Sequence, residues 1–242
     1  ESAPGGTAIH PEAPDNLAFD WGMGQRKKTA RAFEAAAKIV KYDIGDNRVI
    51  VNSMEPRGCY AEWDGKRPHI CVNGQGVWDM QDRLARFYRV KKDKVRVTNP
   101  DVGGGFGMKG MVYPEYFVVT EAARIAGRPV RWMSERTEAM LTDNAGRDLV
   151  STCEIAFDEN NKMLAYRVNN VFNLGAYNSQ FAQFIQTELF AKVLMGTYDV
   201  KTSWLQAQGI YTNTVCVDAY RGAGRPEAIY ALERMMDYAA RE

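Results

Sequence analysis

Three short stretches of the chain combine residue types that can hold or polarise a small molecule. The first is Asp101-Val102-Gly103-Gly104-Gly105-Phe106-Gly107-Met108-Lys109-Gly110. Its glycines permit positive φ and close approach of backbone to a bulky ligand, and a helix N-terminus after the loop would offer unpaired N–H groups to an anion. Such a cluster also serves as ordinary punctuation between elements. The second is Asn73-Gly74-Gln75-Gly76, where Gln75 either donates to a ligand or hydrogen-bonds its own turn. The third is Tyr220-Arg221-Gly222-Ala223-Gly224-Arg225-Pro226-Glu227. Two guanidiniums beside a helix start suit a phosphate or an oxo group, and they can equally pair with carboxylates such as Glu227.

Other candidates weigh less. Gly105-Phe106-Gly107-Met108-Lys109-Gly110 has the dinucleotide spacing G-x-G-x-x-G, and Glu135 follows the next strand where a ribose-binding acid would sit. Against that reading, Asn99-Pro100-Asp101 and Pro114 interrupt the passage from strand through loop to helix. A phosphate loop is weaker still, because Lys109 is followed by Gly110 and not by Ser or Thr. Cys216 lies in the apolar run Thr214-Val215-Cys216-Val217 and reads as a buried thiol, not a nucleophile. His69 heads a strand with no histidine or carboxylate at ligand spacing and reads as structural. Met54-Glu55-Pro56-Arg57 reads as a strand end.

The elements that must position these loops follow from periodicity. Apolar residues at Phe33, Ala36, Ala37 and Val40 predict a helix over Lys28 to Tyr42, followed by a strand over Arg48 to Met54. Gly58 to Trp63 and Pro68 to Val72 form a predicted hairpin turned at Asp64-Gly65. A helix over Val77 to Tyr88 and a strand over Lys94 to Thr98 come next. Beyond the glycine loop, the pattern predicts a helix from Val112 to Ala126 ended by Gly127-Arg128-Pro129, and a short strand at Val130 to Met133. A second hairpin turns at Asp158-Glu159-Asn160-Asn161. It is followed by a helix over Phe181 to Met195, a strand over Thr202 to Tyr211 and a final helix through Arg241. Helices interspersed with hairpins make the class α+β, mixed sheets with packed helices. Residues 1–25 read as an extended lead-in from an upstream domain, and 26–242 as one domain, which the resemblance given below makes the N-terminal part of a cofactor-binding domain.

Composition narrows the function. The 242 residues include 31 Lys+Arg against 30 Asp+Glu, so no global charge selects nucleic acid or an acidic membrane. No apolar run reaches the roughly 20 residues of a membrane span and no signal-peptide pattern opens the chain, so a cytoplasmic location is expected. Cys59, Cys71, Cys153 and Cys216 show no C-x-x-C spacing, which argues against a zinc site or a disulfide framework. A metal, if one is used, is expected to arrive inside a cofactor.

Five motifs in order carry a resemblance. Met54-Glu55-Pro56-Arg57, Gln75 before a helix, Gly103-Gly104-Gly105-Phe106-Gly107-x-Lys109, Gly175-Ala176-Tyr177 and Ala219 through Glu227 together resemble the molybdopterin-binding large subunit of the xanthine dehydrogenase, aldehyde oxidoreductase and aerobic carbon monoxide dehydrogenase family. The resemblance runs from about His10 to the end. It implies a molybdenum hydroxylase that inserts oxygen from water and passes electrons to iron–sulfur and FAD groups in partner subunits or domains. The cofactor it implies is molybdenum-molybdopterin, plain or as a cytosine dinucleotide, with the metal held by pterin sulfurs and oxygens and no protein ligand.

Carried over by residue, the resemblance gives Gln75 as the amide that donates to the apical molybdenum oxygen. Gly105, Phe106 and Gly107 become the loop against the metal centre, and Arg221, with Gly222, Ala223 and Gly224, the loop that closes over it. Gln75, Phe106 and Arg221 would surround the molybdenum without ligating it. The base glutamate of the family lies in a C-terminal region this sequence does not contain, so no catalytic base is assigned here and the piece alone is expected to be inactive. Gly110 stands where purine-oxidising members carry a substrate-binding glutamate, and Ala223 where they carry an aromatic ring. A purine is therefore not expected, and an aldehyde or N-heterocycle is. Gly222 replaces the cysteine that anchors copper in carbon monoxide oxidation. The alternatives are a form acting on carbon monoxide without that cysteine, and a non-catalytic pterin- or nucleotide-binding scaffold. Expected partners are the remainder of the large subunit, an iron–sulfur subunit and a flavin subunit, in an oligomer.

Overall fold

The structure is a computed structural model that describes residues 6–242. In chain order the elements are β1 (Leu17–Gly24), α1 (Arg26–Glu34), β2 (Lys38–Asp46), β3 (Val49–Ile50), β4 (Gly58–Trp63), β5 (Pro68–Val72), α2 (Trp78–Tyr88), β6 (Arg96–Thr98), α3 (Pro114–Ala126), β7 (Val130–Met133), α4 (Arg136–Thr142), β8 (Ala145–Gly146), β9 (Leu149–Phe157), β10 (Met163–Gly175), α5 (Ala182–Phe184), β11 (Ser203–Tyr211) and α6 (Arg225–Arg241). The chain forms two compact units, one built from Glu1–Val49 with Asn144–Glu242, the other from Ile50–Asp143.

The first unit is a five-stranded sheet in the order β1-β11-β10-β9-β2. The β9–β10 hairpin turns where the Asp158 carboxylate accepts the Asn160 and Lys162 N–H groups, as an Asx turn does. From β10 the chain crosses over to β11, which runs parallel to it. The helical part of that crossover is α5, followed by a π-helical turn at Ile185–Leu189. On one face of the sheet, α6 sets Ala228, Ala231, Leu232 and Met235 against Val40, Ile155, Val168 and Leu205. That i, i+3, i+4, i+7 spacing makes one buried stripe, and burying Leu232 or Met235 stabilises by roughly 1.5–3 kcal/mol each.

Three expectations change in this unit. The lead-in gives way to β1 at Leu17–Gly24, which pairs with β11 at the sheet edge, while residues 1–5, Pro4 included, lie outside the described residues. The predicted helix from Lys28 stops at Glu34, and Val40 is instead a buried position of β2. Ile39-Val40 is β-branched, and Val40 and Ile44 recur with even spacing, so the two-residue period prevails there. The helix predicted over Phe181 to Met195 loses its regularity after Phe184.

The second unit is a four-stranded sheet ordered β6-β5-β4-β7, with β4–β5 the expected hairpin and β6 parallel to β5. Helix α3 buries Tyr116, Val119, Thr120 and Ala123. Only Val49–Ile50 of the strand predicted over Arg48 to Met54 forms. Helix α4, absent from the periodicity, is fixed by its start: Glu135 and Glu138 make a capping box. That closes the ribose-acid reading of Glu135, whose carboxylate serves its own helix.

Candidate functional site

In the second unit the structure brings Gln75 and the glycine loop together. The Gln75 side-chain oxygen accepts the Gly107 N–H at 2.8 Å, and the Gln75 N–H donates to the Lys109 carbonyl at 3.1 Å. Because the Gly107 partner is a donor, the amide must present oxygen to it. Its NH2 then has no protein partner among the described residues, and Gln75 is exposed. The Asn99 side chain clasps the same turn, accepting from Gly74 N–H at 3.1 Å and donating to Gly74 O at 2.9 Å. So Asn99, which sequence reasoning treated as an interruption, holds the Gln75 turn.

Glycines are required here by contact as well as by φ. A Cβ on Gly105 would lie 2.5 Å from the Gln75 oxygen, and one on Gly103 would lie 2.5 Å from Glu55 Cβ. Phe106 sits at φ 55 and Gly107 at φ 106, so the loop reverses direction, and Phe106 is left 43% exposed. Beyond the loop come a short 3-10 turn at Met108–Gly110 and an extended stretch, and α3 begins only at Pro114. The loop is therefore not a helix N-terminus, and its N–H groups are oriented by side chains instead.

Besides Gln75, the side chain that does this is Glu55 of Met54-Glu55-Pro56-Arg57, which is far more than a strand end. One Glu55 oxygen accepts both the Gly103 N–H at 2.9 Å and the Lys109 ammonium at 2.8 Å. Lys109 is wholly buried at its side chain, with Glu55 33% exposed. Burial pushes the Glu55 carboxyl up, but hydrogen bonds from Lys109, Gly103 N–H and Asn73, together with the Lys109 charge, outweigh it and hold the group below its ordinary value. Two residues on, Arg57 is fully buried, bonded to Asp143 and to both oxygens of Glu115, with its guanidinium 3.6 Å from the Tyr113 ring centroid. Gly110 lies next to the site, and a Cβ there would come no nearer than 4.0 Å to Gln75 Cβ.

Arg221, Gly222, Ala223 and Gly224 belong to the first unit. Gly222, Ala223 and Gly224 all have positive φ, at 99, 41 and 80. Arg221 is exposed. The loop opens directly into α6, whose cap residue Gly224 packs so that a Cβ would stand 2.3 Å from the Ile185 carbonyl in the π-helical turn. Glu227 is not the partner of either loop arginine. It is buried and paired with Arg147 at 3.0 Å, while Arg225 folds back to the Gly222 carbonyl at 2.8 Å. Burial drives the Glu227 carboxyl above its ordinary value, offset in part by Arg147, and its Oε2 has no partner.

Two side readings are also settled by geometry. His69 does have a carboxylate partner: register places Glu62 opposite it, with Nδ1 2.8 Å from Glu62 and Nε2 2.9 Å from Thr98. The sequence separation hid a cross-strand pair. Cys216 is half-buried and bonded to the Tyr177 carbonyl, and burial raises its thiol further from reactivity. Among the described residues no group of three or more His, Cys, Asp or Glu is placed to hold a metal ion, and no helix is long and apolar enough to cross a membrane.

The sequence pattern described as "Molybdopterin cofactor-binding domain" matches residues 9–242. The 6-hydroxypseudooxynicotine dehydrogenase complex subunit gamma of Paenarthrobacter nicotinovorans is 32% identical over 88% of the chain and 27% of that protein. The carbon monoxide dehydrogenase large chain of Hydrogenophaga pseudoflava is 30% identical over 96% of the chain and 29% of its own length. The chain thus spans less than a third of these relatives. Among solved structures, carbon monoxide dehydrogenase from Oligotropha carboxidovorans superimposes with a TM-score of 0.85 at 29% identity, covering 94% of this chain and 29% of that one. The aldehyde oxidoreductase of Desulfovibrio gigas shares the fold with a TM-score of 0.86 at 23% identity, covering 99% and 26%.

Proposed function

The chain belongs to the molybdopterin cofactor-binding domain family, and from that premise we propose that it is part of a molybdenum hydroxylase acting on an aldehyde or an N-heterocycle. Water is the oxygen source, and iron–sulfur and flavin subunits take the electrons. When bound, the molybdenum pterin would supply the two-electron oxidation that no side chain here can perform.

The observation that supports this reading best is the fixed polarity of Gln75. With its oxygen held by Gly107 N–H, the amide can only donate outward, which suits an acceptor oxygen on the cofactor. Gly105 leaves that amide its space, and Gly107 keeps it from rotating. The residues that would hold the cofactor are Gln75 with Gly105, Phe106 and Gly107, and, as the resemblance implies, Arg221 with Gly222, Ala223 and Gly224, the guanidinium favouring negative charge on the bound group.

Small residues at Gly110 and Ala223 supply neither an acid for a purine nor a ring to stack on it. The names of relatives that act on nicotine derivatives accord with an N-heterocycle. Carbon monoxide is the weaker reading. Position 222 is glycine at φ 99, and a Cβ there would stand 2.3 Å from Pro226, so a thiol side chain has no room without a shift of the loop.

The test is the molybdenum content of the full-length protein, expressed in a host that makes the pterin and measured by elemental mass spectrometry. About one metal per chain is expected for a cofactor-coordinated centre, and Gln75→Ala should lower turnover roughly 10- to 100-fold with little change in thermal midpoint. A folded protein with no metal above background would leave a scaffold module and remove the enzyme reading.

A further inference from the structure

Resting on the cofactor reading above, we propose that Arg147 and Glu227 are the positioning residues that aim Arg221. Arg147 is buried, 9% exposed, and stands at φ 62, a left-handed backbone that a β-carbon makes costly and that must be held by its surroundings. Its guanidinium spends its donors on one short segment. Nη1 donates to the Tyr220 carbonyl at 3.2 Å and to Glu227 at 3.0 Å, and Nη2 donates to the Arg221 carbonyl at 2.9 Å. The guanidinium also lies 4.7 Å from the centroid of the Tyr220 ring.

The consequence is geometric. Two consecutive carbonyls, those of Tyr220 and Arg221, are gripped immediately before the three residues of positive φ. The segment's other end is gripped in the first turn of α6 through Glu227. Gly146, the neighbour of Arg147, packs so that a Cβ would stand 2.4 Å from Tyr220 Cβ, which fixes Tyr220 from a second side. With the peptides on both sides of the Arg221 Cα bonded to one planar fork, the direction of the Arg221 side chain is set by a group that never touches the cofactor. A lysine could keep the charge but not both carbonyls, since its ammonium lacks the fork.

Glu227 does a second thing. One of its oxygens faces Arg147 and the other is buried without a partner. Asp46, from β2, is a second carboxylate within reach of the Arg147 charge among the described residues. A buried guanidinium with a carboxylate on its helix side is thereby drawn toward the loop and kept there.

The test uses the full-length, molybdenum-loaded enzyme in four forms: wild type, Arg147→Lys, Arg221→Ala and the double variant. The readouts are molybdenum per chain, thermal midpoint, and the Mo(V) electron paramagnetic resonance signal after reduction with dithionite, which needs no substrate. Arg221→Ala should shift the signal. Arg147→Lys should shift it too, and in the double variant it should add nothing to Arg221→Ala, because it acts through that side chain. Additive shifts, or a wild-type signal in Arg147→Lys, overturn the positioning role while leaving the cofactor reading intact. A wild-type signal in Arg221→Ala overturns the cofactor reading of this loop and the proposal with it. Should Arg147→Lys fail to fold, Glu227→Gln, which keeps shape and removes the charge, must give a smaller shift that again vanishes when Arg221 is alanine. If it does not vanish, the proposal fails.

Discussion

Glu55→Gln isolates the one buried ion pair that shapes the glycine loop. In the native protein the Lys109 ammonium is fully buried 2.8 Å from a carboxylate that is 33% exposed. Breaking a fully buried pair by removing one partner costs about 3–5 kcal/mol, and an exposed pair is worth about 0–1 kcal/mol. One partner buried and the other a third open places the loss near 2 kcal/mol, or roughly 4–8 °C in thermal midpoint for a protein of this size. The glutamine oxygen can still accept from Gly103 and Lys109, so the deficit is charge and not shape. The folded carboxyl titrates below its ordinary value of 4.5, so the extra stability is present above that value and is lost as pH falls through the lower, folded one. Thermal scans of wild type and Glu55→Gln should therefore differ at about pH 7 and converge as pH falls through the lowered value of the folded carboxyl. Adding Lys109→Met removes the stranded ammonium and should restore at least half of the loss. Equal midpoints at neutral pH, or a deficit that persists unchanged in acid, would refute the reasoning.

Three further outcomes follow from contacts described above. Gly105→Ala should lower molybdenum content with a stability change under about 1 kcal/mol, because its Cβ, 2.5 Å from the Gln75 oxygen, displaces a flexible side-chain end; full metal content would count against Gln75 as a ligand-facing donor. Gly224→Ala should destabilise by about 3 kcal/mol or more in a denaturant titration, since its Cβ meets backbone at Ile185 and the residue sits at φ 80. Thiol titration of the folded protein near neutral pH should leave Cys59 and Cys153 unmodified. Burial pushes them up to about 12 and about 11, and both should react after denaturation.

The loops that carry the site were legible because their residue types are rare in that order, and both hairpins were legible because a turn residue interrupts an alternating pattern. What holds the loops was not. Glu55 and Lys109 are 54 positions apart and Arg147 and Glu227 are 80 apart. Buried charge is read from sequence as surface, and only the fold shows these four as pairs. Asn99 looked like a break in the chain because its clasp on Gly74 is a side-chain contact with no local signature. The boundary between α1 and β2 was lost because Phe33, Ala36, Ala37 and Val40 fit a helical stripe by spacing, yet the β-branched pair at Ile39-Val40 begins a strand whose partner, β9, is remote.

That remoteness has a kinetic meaning. Strands β2 and β9 pair antiparallel from Lys38 opposite Phe157 to Asp46 opposite Leu149, with the whole second unit in between. Zipping them as the first event would require closing a loop of roughly 100 residues, at an entropic cost of about 4 kcal/mol. If the inserted unit has already folded, far fewer flexible residues remain to be brought together. The sheet that carries the arginine loop thus closes sooner when the unit that carries the glycine loop folds first. A defect in the Glu55–Lys109 pair would then appear as slow closure of β2 on β9, in a sheet that contains neither residue.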